Sequence, residues 1–332
     1  MKVFITGANG FIGSSLCRHF LAQGWEVHGL VRPTSDLCNL EGLPVSLHTG
    51  DLRDPASFAV PAGITHVIHS ASIVSDTAGE ATCRDNIYLL AVNLVAKLRV
   101  LPQPPQRLLY ISTALVLGYN GLDITEQRPG ESAMFLPYTR FKVKTEEFLL
   151  QQWREQGLPV VILRPGDVYG PYDRVSCARM LRGCEQRLPL IVGRGDGRFG
   201  FCYIDNLCQA SLLAMVKPGI EGRAYTVTNG TLPTWREFFS GLQRRMHYRQ
   251  RLRVPVWIVY VAAAVLHGVQ QVLPRYSPLL TYYRVRRITT ETTYDISKTV
   301  AELGYQPDDH FEKQLDETVA WYLREKENGH IA

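Results

Sequence analysis

The sequence predicts an α/β protein built as a doubly wound parallel sheet with a smaller C-terminal lobe. Apolar, β-rich runs alternate with amphipathic helical stretches through the first half, and those runs stay apolar on successive residues, as strands buried on both faces do. A chain of 332 residues, 45% of them hydrophobic, allows one enlarged α/β unit or two or three domains at roughly 100–200 residues each. Only 20% of residues are charged, and 27 Gly and 19 Pro follow no fixed period, which excludes collagen, coiled coil and wholesale disorder.

In order, residues 2–6 (KVFIT) read as a buried strand, 11–23 as an amphipathic helix and 26–31 as a second strand. Residues 45–49 and 65–69 are further strands, followed by a helical stretch over 81–100 that Pro102, Pro104 and Pro105 terminate. Strands at 107–113 and 160–163 bracket a strongly helical segment, 138–156. Beyond residue 164 the alternation becomes irregular, with a loop at 194–201 and helices near 205–216, 234–247 and 311–325. This divides the chain into a first domain, 1–165, and a second lobe, 166–332, interleaved with the sheet. No internal repeat or low-complexity tract is visible.

Seven cysteines form no CxxC pair and leave one over in any pairing, so reduced thiols, mostly core filler, are expected rather than a disulfide framework or a metal site. The N-terminus enters a strand directly, with no charged segment leading into a long apolar one, and a cytoplasmic location is expected. The net charge of +5 is unevenly placed. No acid occurs between Glu237 and Glu291, whereas Arg244, Arg245, Arg249, Arg251, Arg253, Arg275, Arg284, Arg286 and Arg287 all do. Inside that basic segment lies 254–273, without a formal charge and with only His267, Gln270 and Gln271 strongly polar. Three readings are open for it: a buried core helix, an interfacial helix carrying Trp257 and Tyr260 into a membrane surface, and a membrane span. The span is disfavoured, because the tail beyond it belongs to the same globular unit. Apolar surface at the centre of the cluster favours lipid over nucleic acid as a partner.

Three motifs carry chemistry. Gly7-x-x-Gly10-x-x-Gly13 sits between the first strand and first helix, where glycines permit a tight turn and let a pyrophosphate approach the helix N-terminus. Val31 and Arg32 end the second strand, where a carboxylate would bind a free ribose 2′-hydroxyl and an arginine accommodates a 2′-phosphate. With Thr34 and Ser35 following as hydroxyl donors, NADP is favoured over NAD. Tyr138-x-x-x-Lys142 places a phenol and an ammonium on one helical face, where the ammonium is expected to pull the tyrosine pKa down towards neutrality. Ser112 and Thr113 end an apolar strand where a doubly wound sheet presents its ligand crevice.

Together with GDLRD at 50–54, HSAS at 69–72, YISTALVLG at 110–118, LRPGDVYGP at 163–171, FCYIDN at 201–206 and ELGYQP at 302–307, these motifs resemble the extended short-chain dehydrogenase/reductase superfamily over nearly the whole chain. LVRPTSDLCNLEGL and the late TYDISKTVAELGYQP make the dihydroflavonol-reductase-like and 3β-hydroxysteroid-dehydrogenase-like branch the most similar. The resemblance implies a Rossmann-like fold with a substrate-binding C-terminal lobe, and Thr113, Tyr138 and Lys142 as the catalytic set, Lys142 also holding the nicotinamide ribose. It implies a cofactor cradle of Gly7, Asn9, Gly10, Phe11, Ile12 and Gly13, continued by Ser112 at the strand end. Asp51 and Leu52 would flank the adenine, Ser70 and Ala71 line the cofactor, Asn93 support the site from its helix, and Pro165 and Val168 approach the nicotinamide. Members of the steroid branch also carry a membrane-associating helix in the place of 254–273. Two departures set the chain apart from the NAD-using sugar epimerases: Val31-Arg32 replaces their ribose-end acid, and Gly195–Phe201 lacks a clean counterpart of their pyrophosphate-gripping arginine.

The expectation is an NAD(P)-dependent oxidoreductase interconverting a secondary alcohol and a ketone on a hydrophobic sterol-, hopanoid-, flavonoid- or β-keto-acid-like substrate. It would act peripherally at a membrane and without nucleic acid or metal, with a homodimer among the assemblies open to it. A nucleotide-sugar 4-epimerase or dehydratase and a non-enzymatic dinucleotide-binding regulator are the alternatives; an intact Thr113, Tyr138 and Lys142 set disfavours the regulator.

Overall fold

The computed structural model describes residues 1–126, 131–250, 254–272 and 280–331. β1 (Lys2–Thr6), β2 (Glu26–Val31), β3 (Ser46–Thr49), β4 (His66–His69), β5 (Arg107–Ile111), β7 (Val160–Pro165) and β10 (Arg223–Val227) form one parallel sheet in the order 10-7-5-4-1-2-3. Two parallel pairs stand outside it, β6 (Gly121–Ile124) with β11 (Thr292–Tyr294) and β8 (Asp167–Tyr169) with β9 (Phe201–Tyr203). The inner strands are buried on both faces, as their unbroken apolar runs predict. Strand order reverses between β1 and β4, whose C-terminal ends open the crevice where doubly wound sheets bind ligands.

Around the sheet pack α1 (Phe11–Ala22), α2 (Glu80–Cys83), α3 (Leu89–Arg99), α4 (Pro137–Gln156), α5 (Ser176–Glu185), α6 (Ile204–Val216), α7 (Trp235–Arg245), α8 (Val256–Val272), α9 (Tyr282–Thr289), α10 (Ser297–Leu303) and α11 (Phe311–Glu327). The expected single helix over 81–100 is interrupted: a π turn, Arg84–Tyr88, separates α2 from α3. α3 ends at Arg99, ahead of the prolines. The β5 run is also shorter than expected: Ser112 makes the last bond to β7, its amide donating to the Leu163 carbonyl at 2.7 Å, and Thr113 then caps a 3₁₀ turn, Ala114–Leu117. The C-terminal half does complete the sheet, β10 pairing with β7 from Arg223 opposite Val161 to Val227 opposite Pro165. Aromatic residues of the main core, with Phe201 stacked on Phe238 at 4.4 Å, fix β9 against α7.

All seven cysteines are free and six of them are buried. The basic segment is largely neutralised from outside itself. Arg244 and Arg245 pair with Glu312, Arg245 also with Asp316, Arg284 with Asp76 and Arg287 with Asp167. Arg251, Arg253, Arg275 and Leu273 lie outside the described residues. α8 fits neither a core helix nor a span. Val259 and Ala263 are buried against Val192 and Val285, while Trp257 is 67%, Val261 55% and Val265 61% exposed. No described helix is long and apolar enough to cross a membrane.

Candidate active site

The turn after β1 is closed by backbone contacts that only glycine permits. Gly7 has φ +69°, and a Cβ there would meet Ala71 Cα at 2.8 Å; at Gly13 a Cβ would fall 2.0 Å from the Gly7 carbonyl oxygen. Gly10 begins α1, and no side chain caps the first amides, those of Phe11, Ile12 and Gly13, so their N–H groups face the crevice mouth. Asn9 is not directed into this cradle: its amide donates to the Asp36 carbonyl at 3.2 Å and fastens the turn to the loop after β2. Across the crevice Ser70 donates to the Thr6 carbonyl at 2.7 Å, which sets Ala71 against Gly7.

The far end of the cradle lies beyond β2. Arg32 is exposed, and its guanidinium has no ion-pair partner among the described residues. The Ser35 hydroxyl accepts from the Arg32 amide at 3.1 Å, Thr34 lies exposed between them, and the turn is closed by Ser35 N–H to Arg32 O at 3.0 Å. Asp51, whose carboxyl feels the Arg32 charge, is held by Arg53, whose hydrogen bonds push the carboxyl below its usual range. Leu52 is buried, and its carbonyl accepts from Asn93 at 2.8 Å, so Asn93 steadies the wall of the cradle from α3. An uncapped helix start, a glycine turn with no room for a Cβ and a free cation at the ribose end together fit a dinucleotide.

Tyr138 and Lys142 stand one turn apart near the start of α4, and α4 packs against β7 and the 3₁₀ turn that follows β5. The Thr113 hydroxyl is directed at the Tyr138 hydroxyl and draws its pKa down, but burial outweighs this and the phenol is pushed up to about 12. The expectation of a phenol tuned towards neutrality is therefore corrected. Lys142 Nζ donates to the Ile111 carbonyl at 2.9 Å and lies 5.9 Å from the Tyr138 ring centroid. Burial also lowers Lys142 to about 7, opposed by the charge of Glu146.

Ser112 reaches the site but its side chain turns away from it. Its hydroxyl donates to Glu146, a buried carboxylate that also receives Arg164 Nε at 3.1 Å and Nη at 2.6 Å. Pro165 lines the same pocket as Thr113, while Val168 packs on the core behind it.

The pocket contains residues that spacing alone did not single out. Asp167, Phe199 and Tyr294 line it beside Thr113, Pro165 and Gly166. Arg287 pairs with Asp167 and lies with its guanidinium carbon 5.0 Å from the Phe199 ring centroid. Arg287 was visible only as one arginine of a basic segment, and Glu146 only as a helix residue in register with Tyr138 and Lys142. One further grouping, Cys38, Glu325 and His330, brings three ligand atoms within 4.8 Å, but Arg174 already fills it with contacts to Cys38 Sγ at 3.0 Å, to Glu325 and to the His330 carbonyl at 3.0 Å.

Residues 3–228 match the model of the NAD dependent epimerase/dehydratase family. The chain is 30% identical to sterol demethylase protein B of Methylococcus capsulatus, over 100% of both chains. It is 29% identical to the 2-alkyl-3-oxoalkanoate reductase of Shewanella oneidensis, over 91% of this chain and 81% of that one. Among solved structures, the dTDP-glucose 4,6-dehydratase DesIV of Streptomyces venezuelae superposes with a TM-score of 0.78 at 22% identity, covering 98% of each chain, a likeness of fold. With its glycine turn, reversed sheet and Tyr138/Lys142 helix in place, the chain belongs to the NAD dependent epimerase/dehydratase family and is an oxidoreductase of the extended short-chain dehydrogenase/reductase type.

Proposed function

We propose that the protein reduces a ketone to a secondary alcohol, or the reverse, on a hydrophobic sterol-, hopanoid-, flavonoid- or β-keto-acid-like substrate with NADP as the preferred dinucleotide. The observation that carries this is the pairing of Tyr138 with Thr113, which lines a pocket whose walls are mostly apolar (Ala114, Leu115, Pro165 and Phe199), with Asp167 and Tyr294 as its polar members. Thr113 holds the substrate oxygen by a hydrogen bond, and Tyr138, kept protonated by its burial, donates the proton that the oxygen takes up. Hydride transfer is the chemistry the bound dinucleotide supplies. Lys142 fixes the geometry of the strand end through Ile111. Arg32 supports NADP as the donor of a charge-assisted hydrogen bond to a 2′-phosphate. Relatives named as sterol, steroid and 3-oxoalkanoate enzymes support an apolar substrate. The test is a screen of NADPH oxidation against sterol ketones, aliphatic β-keto acids and nucleotide sugars. Turnover of the first two classes is expected, whereas turnover of nucleotide sugars alone would overturn the reading in favour of an epimerase or dehydratase.

An apolar substrate is best drawn from lipid, and α8 supports docking on an anionic membrane surface. Trp257, Val261 and Val265 form an exposed apolar stripe beside the exposed Tyr282, within a segment that holds no acid from 238 to 290. Because most of the described arginines there are already paired, apolar insertion rather than charge carries the attachment.

A further inference from the structure

We propose that Arg287 is the receptor for a carboxylate carried by the substrate close to its reacting carbon, so that the substrate is an apolar keto acid, or its hydroxy acid, rather than a neutral ketone. This rests on the reductase reading above and narrows it.

Residue 287 is far from the catalytic motifs in sequence, yet α9 delivers its side chain to their pocket. The guanidinium pairs with Asp167, a residue of the pocket wall shared with Thr113, and lies over Phe199 at 5.0 Å and Trp235 at 5.9 Å. It is near enough to Tyr138 for its charge to draw the phenol's pKa down. A functional group bound by Arg287 is therefore presented alongside the oxygen that Thr113 and Tyr138 hold.

The pairing leaves the guanidinium incompletely satisfied. Arg287 Nε and Asp167 Oδ2 are both buried without a hydrogen-bond partner among the described residues, and burial lowers the arginine to about 10. Arginine presents its donors as a planar fork that matches a carboxylate through two parallel hydrogen bonds. A carboxylate that takes Nε and a neighbouring Nη would satisfy the orphaned donor, whereas a neutral ketone leaves it desolvated and unpaired. Asp167 sets the guanidinium at the pocket wall through the ion pair. Its own negative charge beside the anion favours a monoanion over a phosphate dianion. Ala114, Leu115 and Phe199 make the neighbouring wall of the pocket apolar.

Binding tests this without turnover. Full-length protein loaded with NADPH is titrated calorimetrically with 3-hydroxydecanoate and with its methyl ester, a pair that forms only dead-end complexes. The acid is expected to bind about tenfold or more tightly than the ester, the scale of one hydrogen bond to a charged group. Arg287→Met is expected to bring the two within about twofold of each other. Since that variant strands Asp167, the double variant Arg287→Met/Asp167→Asn, which removes both charges, is measured beside it and is expected to show the same loss of preference. Equal binding of acid and ester to the wild type, binding of neither, or a preference that survives in both variants overturns the proposal. Reduction of 3-oxodecanoate and its methyl ester is followed in parallel. Turnover of both without preference sinks the carboxylate site and leaves the reductase intact, whereas selective acid binding with no ketone reduced sinks the reductase reading instead.

Discussion

Lys142 Nζ donates to the carbonyl oxygen of Ile111 at 2.9 Å, tying the catalytic helix to the last residue of β5, two positions before Thr113. The Thr113 hydroxyl is directed at that of Tyr138, and Tyr138, protonated and beside the hydroxyl expected to hold the substrate oxygen, is the group placed to pass a proton to it. Tyr138→Phe is therefore expected to lower turnover by at least ~100-fold with dinucleotide affinity nearly unchanged, since only the transferable proton is lost. Steady-state kinetics with parallel fluorescence titration of NADPH checks it, and near wild-type turnover would remove Tyr138 from the mechanism.

Burial of Lys142 makes stability depend on pH. Its pKa is about 7 in the fold against 10.5 for the free side chain. Between those values the unfolded chain binds the additional proton, so this group's contribution favours the folded state increasingly as pH rises through that window. Lys142→Met removes the contribution. Melting temperature measured from pH 7 to pH 10 should rise less, or fall more, in the variant than in the wild type; parallel curves would refute the link.

Glu146 lies behind the site and receives both Ser112 and Arg164. Glu146→Gln leaves the Arg164 charge buried without a counter-ion, and breaking such a pair typically costs about 3–5 kcal/mol. Urea denaturation is expected to show a loss of that order, and a loss below about 1 kcal/mol, the scale of an exposed pair, would contradict the burial of this network.

Arg32→Ala is expected to weaken NADP binding by about tenfold or more and to leave NAD within about twofold, since a charge-assisted bond to a phosphate is lost and nothing else. Titration of both proteins with both dinucleotides decides it. An equal effect on the two cofactors would return the ribose end to an unselective reading.

For the surface of α8, co-sedimentation with phosphatidylserine-containing vesicles should recover the wild type and lose most of a Trp257→Ala/Val261→Ser variant, because burying a large apolar side chain contributes roughly 2 kcal/mol. High salt should weaken binding only partly, as four of the arginines are engaged within the protein. Absence of wild-type binding at any salt would mean the stripe serves another contact.

What the sequence determined by itself is what depends on near neighbours along the chain. The glycine turn, strands buried on both faces, and the Tyr138/Lys142 pair one helical turn apart all follow from local period and local sterics, and each stands where the spacing placed it. The protonation of Tyr138 did not follow, because a pKa is set by the solvent a fold excludes and by partners such as Thr113 and Arg287 that arrive from other elements. The two faces of α8 were likewise undecided, since an almost wholly apolar run carries no period to say which side Val192 and Val285 will cover. Arg287 shows the same limit: in the sequence it is one charge in a basic stretch, and only the return of α9 to the pocket mouth sets it against Asp167, because ion pairs between distant residues are chosen by proximity in space, on which linear order is silent.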